Sequence, residues 1–379
     1  MEDFHLSEKR ERLLEILGRN PDASLDELAR LSGFKNRTYL PRVIKQLKEK
    51  GYLSQPFYEV EYRTICRNRL TLVAVVVLFT RDYEEIMALF KKIDSYLRFY
   101  PIFEQSFKKF IITFLTSDVR KVKEIMDYLI KKGIIHYYDF YRQDVKYALT
   151  NPAFRTHSGT PAPRVPSLNN LLEETDICDL TWKKYSGLRL NHCDLSLLMN
   201  LEAGTGECKL SAIQLYERTV RKNSFSYAQL KESFAKLTRE GIVKKKYYVY
   251  PIPKEKCFRF ILLVRSDDFE KTGRLVFNFG KHARLQKSVT YWISYTDRKI
   301  FGLIQCICDP LFLIDVLKKL DTYREIREKK FYFLRSYPLT YWSSQSITTD
   351  YYDHKTQTLY YPYQKYFSEI REEADSLLR

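Results

Sequence analysis

The strongest constraint on the fold is an internal repeat with an offset of 190 positions. The segment 34–53, FKNRTYLPRVIKQLKEKGYL, returns near residue 224 in altered form. With this offset, the residues that cap a helix, pack its buried face, end it and follow it fall on equivalent positions: Ser226 on Asn36, Leu230 on Leu40, Phe234 on Ile44, Leu237 on Leu47, Gly241 on Gly51 and Val243 on Leu53. Because the N-cap, the apolar residues, the terminal glycine and the following strand residue all match between the two segments, we interpret the chain as a tandem duplication.

Each copy of this segment predicts a helix with one buried face. In the first copy the apolar residues recur at helical spacing, at Leu40, Val43, Ile44 and Leu47. Asn36 is a suitable N-cap and Gly51 a suitable stop. The basic residues project elsewhere on the cylinder, at Lys35, Arg37, Arg42, Lys45 and Lys48. The pattern is typical of a DNA-reading helix that runs into a wing.

The length of the chain indicates how many domains it can form, and its charge indicates the class of partner. The 379 residues are enough for roughly two to four domains, and the duplication favours four, as two copies of a two-domain unit. Lysine and arginine exceed aspartate and glutamate by 17, which indicates a polyanion, either nucleic acid or an anionic membrane surface. The apolar run 70–79 is too short to cross a bilayer, so we predict no membrane-spanning segment.

Cysteine and histidine usage gives no sign of a metal, a cofactor or a catalytic set. The seven cysteines form no CxxC pair, and the six histidines are scattered. We therefore expect reduced thiols in a cytoplasmic protein.

The order of predicted elements gives the fold class. Helices at 8–19, 24–33 and 36–50 precede the segment 52–65, whose alternating aromatic and polar residues indicate a two-stranded wing. From residue 69 the pattern becomes strand, helix, strand, strand, helix, strand, which is the ferredoxin-like order. The second copy runs through the same parts. We predict an α+β fold in which two winged helix-turn-helix domains alternate with two ferredoxin-like (βαββαβ) domains.

The remaining stretches connect or extend these units. Residues 150–168 carry four prolines and no apolar period, which predicts an extended linker, and a bridging helix is predicted within 169–193. The tail from 343 is rich in tyrosine and ends in a predicted helix. The predicted domains are winged helix-turn-helix 1 at 1–66, ferredoxin-like domain 1 at 67–149, the linker and bridging segment at 150–193, winged helix-turn-helix 2 at 194–256, ferredoxin-like domain 2 at 257–342 and the tail at 343–379.

The element order and the motifs SLDELARLSGFKNRTYLPRVIKQLKEKGYL and LTLVAVVVLF resemble the leucine-responsive and asparagine regulator (Lrp/AsnC) family of prokaryotic transcription factors. The resemblance covers about residues 7–145 and, more faintly, 194–338. It implies a DNA-binding domain before a ferredoxin-like effector and dimerisation domain. In that family the ferredoxin-like sheets pair to form the dimer. The two units are therefore expected to pair within this chain, and further homo-oligomerisation stays open.

One departure from the family concerns small-molecule effectors. The turns between the middle strands of the two ferredoxin-like domains read EQSFKKF and SYTDRKIF, without the glycine near which the family's amino-acid effectors bind. We therefore do not expect an effector site of that kind.

The predicted DNA-binding residues differ between the two copies. Arg37 and Arg42 are the candidates for guanine contacts, and the second copy lacks both guanidiniums, while its basic charge moves into the wing. The first half should thus supply base recognition and the second half backbone affinity. The complete set is Lys35, Asn36, Arg37, Thr38, Tyr39, Arg42, Lys45, Lys48, Ser226, Tyr227, Gln229, Lys231, Lys236, Lys244, Lys245 and Lys246.

The sequence therefore predicts a sequence-specific transcription regulator of double-stranded DNA, with two non-identical recognition helices, and no enzyme activity. Two alternatives stay open. A sirohaem-decarboxylase-like enzyme would share the two-domain plan and the pairing of unlike subunits, although none of that family's site residues can be matched here. A winged-helix scaffold that binds the transcription machinery is the other.

Overall fold

The computed structural model of the chain describes residues 6–104, 106–156, 158–185, 187–335 and 343–378. The predicted domain limits at residues 1, 342 and 379 lie outside these ranges, and the domain division stays a prediction. The fold is α+β, with helices and strands in the predicted order, and this prediction is confirmed. Within the described ranges no helix is long and apolar enough to cross a membrane.

The first half opens with three helices packed around a small core. They are α1 (Glu8–Arg19), α2 (Leu25–Ser32) and α3 (Leu40–Glu49), with a 3-10 turn at Arg37–Tyr39. Two predicted caps form, because the Ser24 side chain accepts a hydrogen bond from Glu27 N and the Asn36 side chain accepts one from Thr38 N. The apolar face of α3 is buried against α1 and α2.

The first ferredoxin-like unit follows a short strand, β1 (Phe57–Val60). Its elements are β2 (Thr71–Phe79), α4 (Tyr83–Lys91), β3 (Tyr96–Ile102), β4 (Lys108–Thr116), α5 (Val119–Lys131) and β5 (Tyr137–Gln143), after which comes β6 (Ala148–Thr150). The strands lie in the order β5, β2, β4, β3, and all neighbours are antiparallel. The central strand β2 is buried almost throughout, as its continuous apolar sequence requires.

The second half repeats this plan. Its elements are α6 (His192–Ala203), α7 (Leu210–Tyr216), α8 (Tyr227–Arg239), β7 (Val243–Lys246), β8 (Phe258–Ser266), α9 (Phe269–Asn278), β9 (Gln286–Ser294), β10 (Ile300–Cys308), α10 (Phe312–Leu320) and β11 (Ile326–Phe333). The predicted capping box of α8 is present, because Ser226 and Gln229 each bond the other's backbone N–H.

The tail returns to the first half. It contains β12 (Ser343–Ser344), β13 (Tyr352–Asp353), β14 (Thr358–Leu359) and α11 (Tyr363–Leu377). Strand β12 extends the sheet beside β3, and α11 packs on α4 and α5. Its Tyr366 is fully buried and donates its hydroxyl to Asp94 at 3.1 Å, so the tail is part of the folded core.

The two ferredoxin-like sheets join into one continuous sheet, in the order β11, β8, β10, β9, β5, β2, β4, β3, β12. The junction is between β5 and β9, where Tyr141 pairs with Ser294. The outer ends also approach each other, because Ile102 at the end of β3 bridges to Leu334 after β11. The expected pairing of the two units within the chain is confirmed, and the curled sheet encloses an interior that both halves share.

The wing prediction is wrong in both copies. Each wing supplies one strand, and the two strands pair with each other, with Glu59 opposite Lys244 and Phe57 opposite Lys246. Pairing across the halves gives each short strand a partner for its backbone groups and places opposite charges side by side. The ring of Phe57 also stacks on Tyr248, with 4.3 Å between ring centroids.

The predicted bridging helix is also absent, because the described residues between 169 and 190 contain no helix. The segment runs as an irregular strap along the second half. The Asn278 side chain donates to the carbonyl oxygens of Leu171 and Glu173, and Lys183 N donates to Glu61 Oε1. These tertiary hydrogen bonds replace the backbone bonds that a helix would have made.

A buried ion pair fixes the first helical domain to the second ferredoxin-like unit. Arg284, just before β9, donates to Glu11 of α1 at 2.9 Å, and both side chains are less than a tenth exposed. The Arg284 guanidinium also donates to the carbonyl oxygens of Ala162 and Phe154 in the linker. Three regions distant in sequence therefore meet at one charged group.

We predict that Glu11→Ala lowers the free energy of unfolding by roughly 3–5 kcal/mol, because the Arg284 charge would stay buried without its carboxylate. Urea denaturation of the two proteins measures the difference. The control is Glu124→Ala, since the exposed pair of Glu124 with Lys121 should contribute less than about 1 kcal/mol. Equal effects of the two substitutions would contradict this role.

Candidate ligand cavity between the two halves

The predicted DNA-binding residues of the first copy lie mostly on the surface of one helix and the turn before it. Lys35, Thr38, Tyr39, Arg42 and Lys45 are exposed. Asn36 is used as a cap, and Arg37 donates to Asp26 at 2.8 Å. Lys48 is half-buried and donates to Gln55 at 2.6 Å, and burial lowers its pKa.

The predicted residues of the second copy are dispersed. Tyr227 and Lys231 are exposed, while Ser226 and Gln229 form the capping box of α8. Lys236 is tied at 2.7 Å to the buried carboxylate of Asp194. Of the wing lysines, Lys244 is exposed, Lys245 lies 3.5 Å from Asp22, and Lys246 faces a cavity.

That cavity, of about 690 Å³, lies between the two halves. Its walls are the ends of the curled sheet, above the apolar core formed by Ala74, Tyr100, Ile261 and Trp292. Its roof is the paired wings, residues 54–60 with Lys246, Tyr248 and Tyr250. The end of α6 and the strap residue Trp182 complete it. Neither half alone has all of these walls.

Arg98 on β3 is the most distinctive residue of the cavity. Its side chain is exposed although its strand is otherwise buried, because it faces the cavity. Its guanidinium donates to the Tyr100 hydroxyl at 3.4 Å, and it is near enough to the Tyr248 hydroxyl to oppose the rise in the pKa of Tyr248 that burial causes. In the described part of the chain it forms no ion pair. An arginine that has only phenol partners is available to bind an anion.

A carboxylate and a phenol form a second polar pair in the wall. The Tyr62 hydroxyl donates to Glu202 Oε1 at the end of α6, and Ile347 N donates to Oε2 at 2.8 Å. Burial raises the pKa of Glu202, although Arg98 nearby acts in the opposite direction. A buried carboxyl group of this kind holds a proton at higher pH than an exposed one does.

Two further basic side chains line the cavity. The Arg259 guanidinium of β8 lies 6.0 Å from the centre of the Tyr250 ring, and Lys246 projects from the roof. Within the described ranges neither forms an ion pair. The indole N–H of Trp182 is buried and finds no acceptor among the described residues. The cavity therefore presents unsatisfied donors between aromatic walls.

A smaller cavity of about 250 Å³ adjoins the large one, and the two share Glu59, Val60, Tyr147, Leu149, Trp182 and Lys246. The strap closes it, because Lys146 N donates to Leu180 O at 2.9 Å. We call this space the annex. Its charged residues are Lys146, Lys244, Lys246, Glu59, Glu61 and Asp179.

The described residues were also compared with the ligand sets that metal ions require. Among them, no group of three or more histidine, cysteine, aspartate or glutamate side chains could hold a metal ion. The cavity residues that the sequence did not indicate are Arg98, Arg259, Tyr62, Glu202 and Trp182. The only signal was a charged residue within an apolar strand pattern, at Arg98 in YLRFYPI and at Arg259 in FRFILLVRS.

No family model and no curated protein matches the chain. Among solved structures, the sirohaem decarboxylase NirDL is similar over 98% of this chain and 100% of its own, with 12% identity and a TM-score of 0.48. The transcriptional regulator NMB0573 of Neisseria meningitidis, in complex with L-Met, covers 44% of this chain and 100% of its own, with 17% identity and a TM-score of 0.28.

The leucine response regulatory protein LrpA of Mycobacterium tuberculosis is similar over 36% of this chain and 91% of its own, with 13% identity and a TM-score of 0.25. At these levels of identity and TM-score, none of the similarities assigns an activity. A functional assignment must therefore come from the cavity and the exposed helices of this chain.

Proposed function

We propose that the chain binds a tetrapyrrole carboxylate in the cavity between its halves and removes CO₂ from it. The observation that carries this proposal is the cavity of about 690 Å³, built by both halves, with aromatic walls and three basic side chains without ion pairs in the described ranges. The sirohaem-decarboxylase-like enzyme, an alternative in the sequence analysis, thus becomes the main hypothesis, and DNA binding becomes the second.

The shape and chemistry of the cavity support this class of ligand. Its volume is within the roughly 300–1,000 Å³ typical of small-molecule sites. A tetrapyrrole offers a broad apolar ring, which suits the faces of Tyr248, Tyr250 and Phe57, and carries carboxylates at its rim, which suit Arg98 and Arg259. The NirDL structure has also been solved with an iron-uroporphyrin III analogue.

Decarboxylation needs no group that the chain lacks. The bond between the side-chain carbon and its carboxylate breaks, CO₂ leaves, and the electron pair stays on the carbon, which then takes up a proton. The hydrogen-bonded pair of Tyr62 and Glu202 is the proposed source of that proton. Burial raises the pKa of Glu202, which favours its protonated form more than in an exposed carboxyl group.

The basic residues would hold the carboxylates that do not react. An arginine bound to the reacting carboxylate would stabilise its charge and oppose the loss of CO₂, whereas a less polar surrounding favours that loss. We therefore assign Arg98 and Arg259 to orientation of the ligand, and we expect the reacting carboxylate to lie away from them.

Addition of deuteroporphyrin IX or uroporphyrin III should give saturable binding with one macrocycle per chain, and binding of either supports the proposal. Tryptophan fluorescence should be quenched, because Trp182 lines the cavity and Trp292 lies in the core below it, and Trp182→Phe should reduce that quenching without abolishing the shift in porphyrin absorbance. Loss of CO₂ from a bound substrate is then followed by mass spectrometry. Absence of saturable binding up to about 100 µM would contradict the proposal.

DNA binding is the second candidate function, and the exposed basic face of α3 is the observation that favours it. Lys35, Arg42 and Lys45 are free to approach a phosphate backbone, although Lys45 lies 3.8 Å from Glu49. The paired wings limit this function, because they form the roof of the cavity and not a free hairpin. Contacts with a duplex would therefore come mainly from the helices.

Selection of duplexes from a random pool tests this second candidate. If the chain reads DNA, Arg42→Ala should cost roughly 1–3 kcal/mol for the selected sequence and relax its preference, while Lys45→Ala should mainly reduce the salt dependence. Lys271→Ala, on the distant helix α9, is the control. A pool without enrichment would count against DNA reading and leave the cavity proposal intact.

A further inference from the structure

The two halves can be superposed residue by residue through the registers of their sheets. Strands β2 and β8 each have nine residues, and so do β4 and β10. In the first half, Leu72, the second residue of β2, pairs with Leu115 of β4. In the second half, Arg259, the second residue of β8, pairs with Ile307 of β10. The equivalent of Arg259 in the first half is therefore Leu72.

The same comparison locates the equivalent of Arg98. In the first half Arg98 of β3 pairs with Thr113 of β4. Thr113 is the sixth residue of β4, and the sixth residue of β10 is Gln305, which pairs with Ser288 of β9. Arg98 thus corresponds to Ser288. Each half contributes one arginine to the cavity, at a position where the other half has a neutral residue.

Both arginines lie on one side of the curled sheet. Arg98 is on β3 and Arg259 is on β8, and the end of β11 lies between these strands, where Leu334 N donates to Arg259 O and Leu334 bridges Ile102. We call this side the arginine seam. The equivalent opposite side, where β9, β5 and β2 meet, carries Ser288 and Leu72.

The edge strands add to this difference between the arginine seam and the opposite side. Ser344 of β12 pairs with Arg98, whereas Leu149 of β6 pairs with Ser288, and both Ser344 and Leu149 line the cavity. One seam is therefore cationic and polar, and the other is neutral and more apolar.

The other charges of the cavity do not cancel this polarity. In the annex, Lys146, Lys244 and Lys246 face the same number of carboxylates, those of Glu59, Glu61 and Asp179. Near the arginine seam, both oxygens of Glu202 are occupied by Tyr62 and Ile347. Glu207, in the 3-10 turn after α6, lies 3.5 Å from Lys209.

We infer that the ligand carries its non-reacting anionic groups along one edge and binds in a single orientation, with that edge at the arginine seam and the reacting carboxylate toward the neutral side. This inference rests on the proposed function and narrows it. Among tetrapyrroles, the better fit is a macrocycle with two neighbouring carboxylates on one edge and, apart from the reacting carboxylate, apolar substituents on the other. A macrocycle with carboxylates around its whole rim would have to place several non-reacting ones against Leu72 and Leu149.

The test compares two probes on the full chain by absorbance titration. Deuteroporphyrin IX has both carboxylates on one edge, and uroporphyrin III has carboxylates on every side. We expect deuteroporphyrin IX to bind about tenfold more tightly or better. Arg98→Met and Arg259→Met should each weaken its binding by about tenfold or more, and Lys246→Met by less than about threefold.

A swap variant covers the case in which an arginine substitution disturbs folding. It combines Arg98→Ser and Arg259→Leu with Leu72→Arg and Ser288→Arg, which moves the arginine seam to the opposite side with the same composition. Recovery of deuteroporphyrin IX binding in this variant supports the inference. Tighter binding of uroporphyrin III, or equal effects of Arg98→Met and Lys246→Met, would overturn it while leaving tetrapyrrole binding in place. If neither porphyrin binds, the proposed function fails, and the inference fails with it.

Discussion

The two ferredoxin-like sheets complete each other's edges, and the cavity exists because of this pairing. Strand β9 of the second half hydrogen-bonds to β5 of the first, and the ends of β3 and β11 meet on the other side. The inner faces then bury Ala74, Tyr100, Ile261 and Trp292 together. The wings cover the end of this apolar core, and a cavity remains between the core and the wings. Neither half could enclose this cavity alone.

Covalent duplication also allows the two halves to diverge, which a symmetric homodimer cannot do. The arginines at 98 and 259 each have a neutral equivalent, and the helices α3 and α8 differ in a similar way. The first half keeps an exposed basic helix, while Lys236 in the second is bound to Asp194. A cavity with inequivalent sides can hold an unsymmetrical ligand in one orientation, which identical halves would not distinguish.

Local patterns predicted the elements well, because their causes are local. The caps at Ser24, Asn36 and Ser226 and the buried face of α3 follow from residues within a few positions of each other. The wings were mispredicted, because the partner of β1 is β7, which is remote in sequence. The strap was mispredicted for a related reason, since its hydrogen bonds come from Asn278 and Glu61.

The cavity could not be found in the sequence for the same physical reason. A single arginine in an alternating strand indicates an outward-facing position as readily as one that faces an interior space. Arg98 became informative only when the sheet register placed it beside Tyr100 and the wings placed Tyr248 above it. The net charge of +17 was consistent with DNA binding, but it did not show where an anion binds.

Hydrogen exchange of the full chain, measured by mass spectrometry with and without a saturating porphyrin, tests the central claim most directly. We predict that the ligand slows exchange in peptides from both halves, which cover residues 54–62, 97–100, 246–250 and 286–288. Exchange in residues 35–50 should change little. Slower exchange confined to residues 35–50, or to peptides of one half, would contradict a ligand site between the two halves.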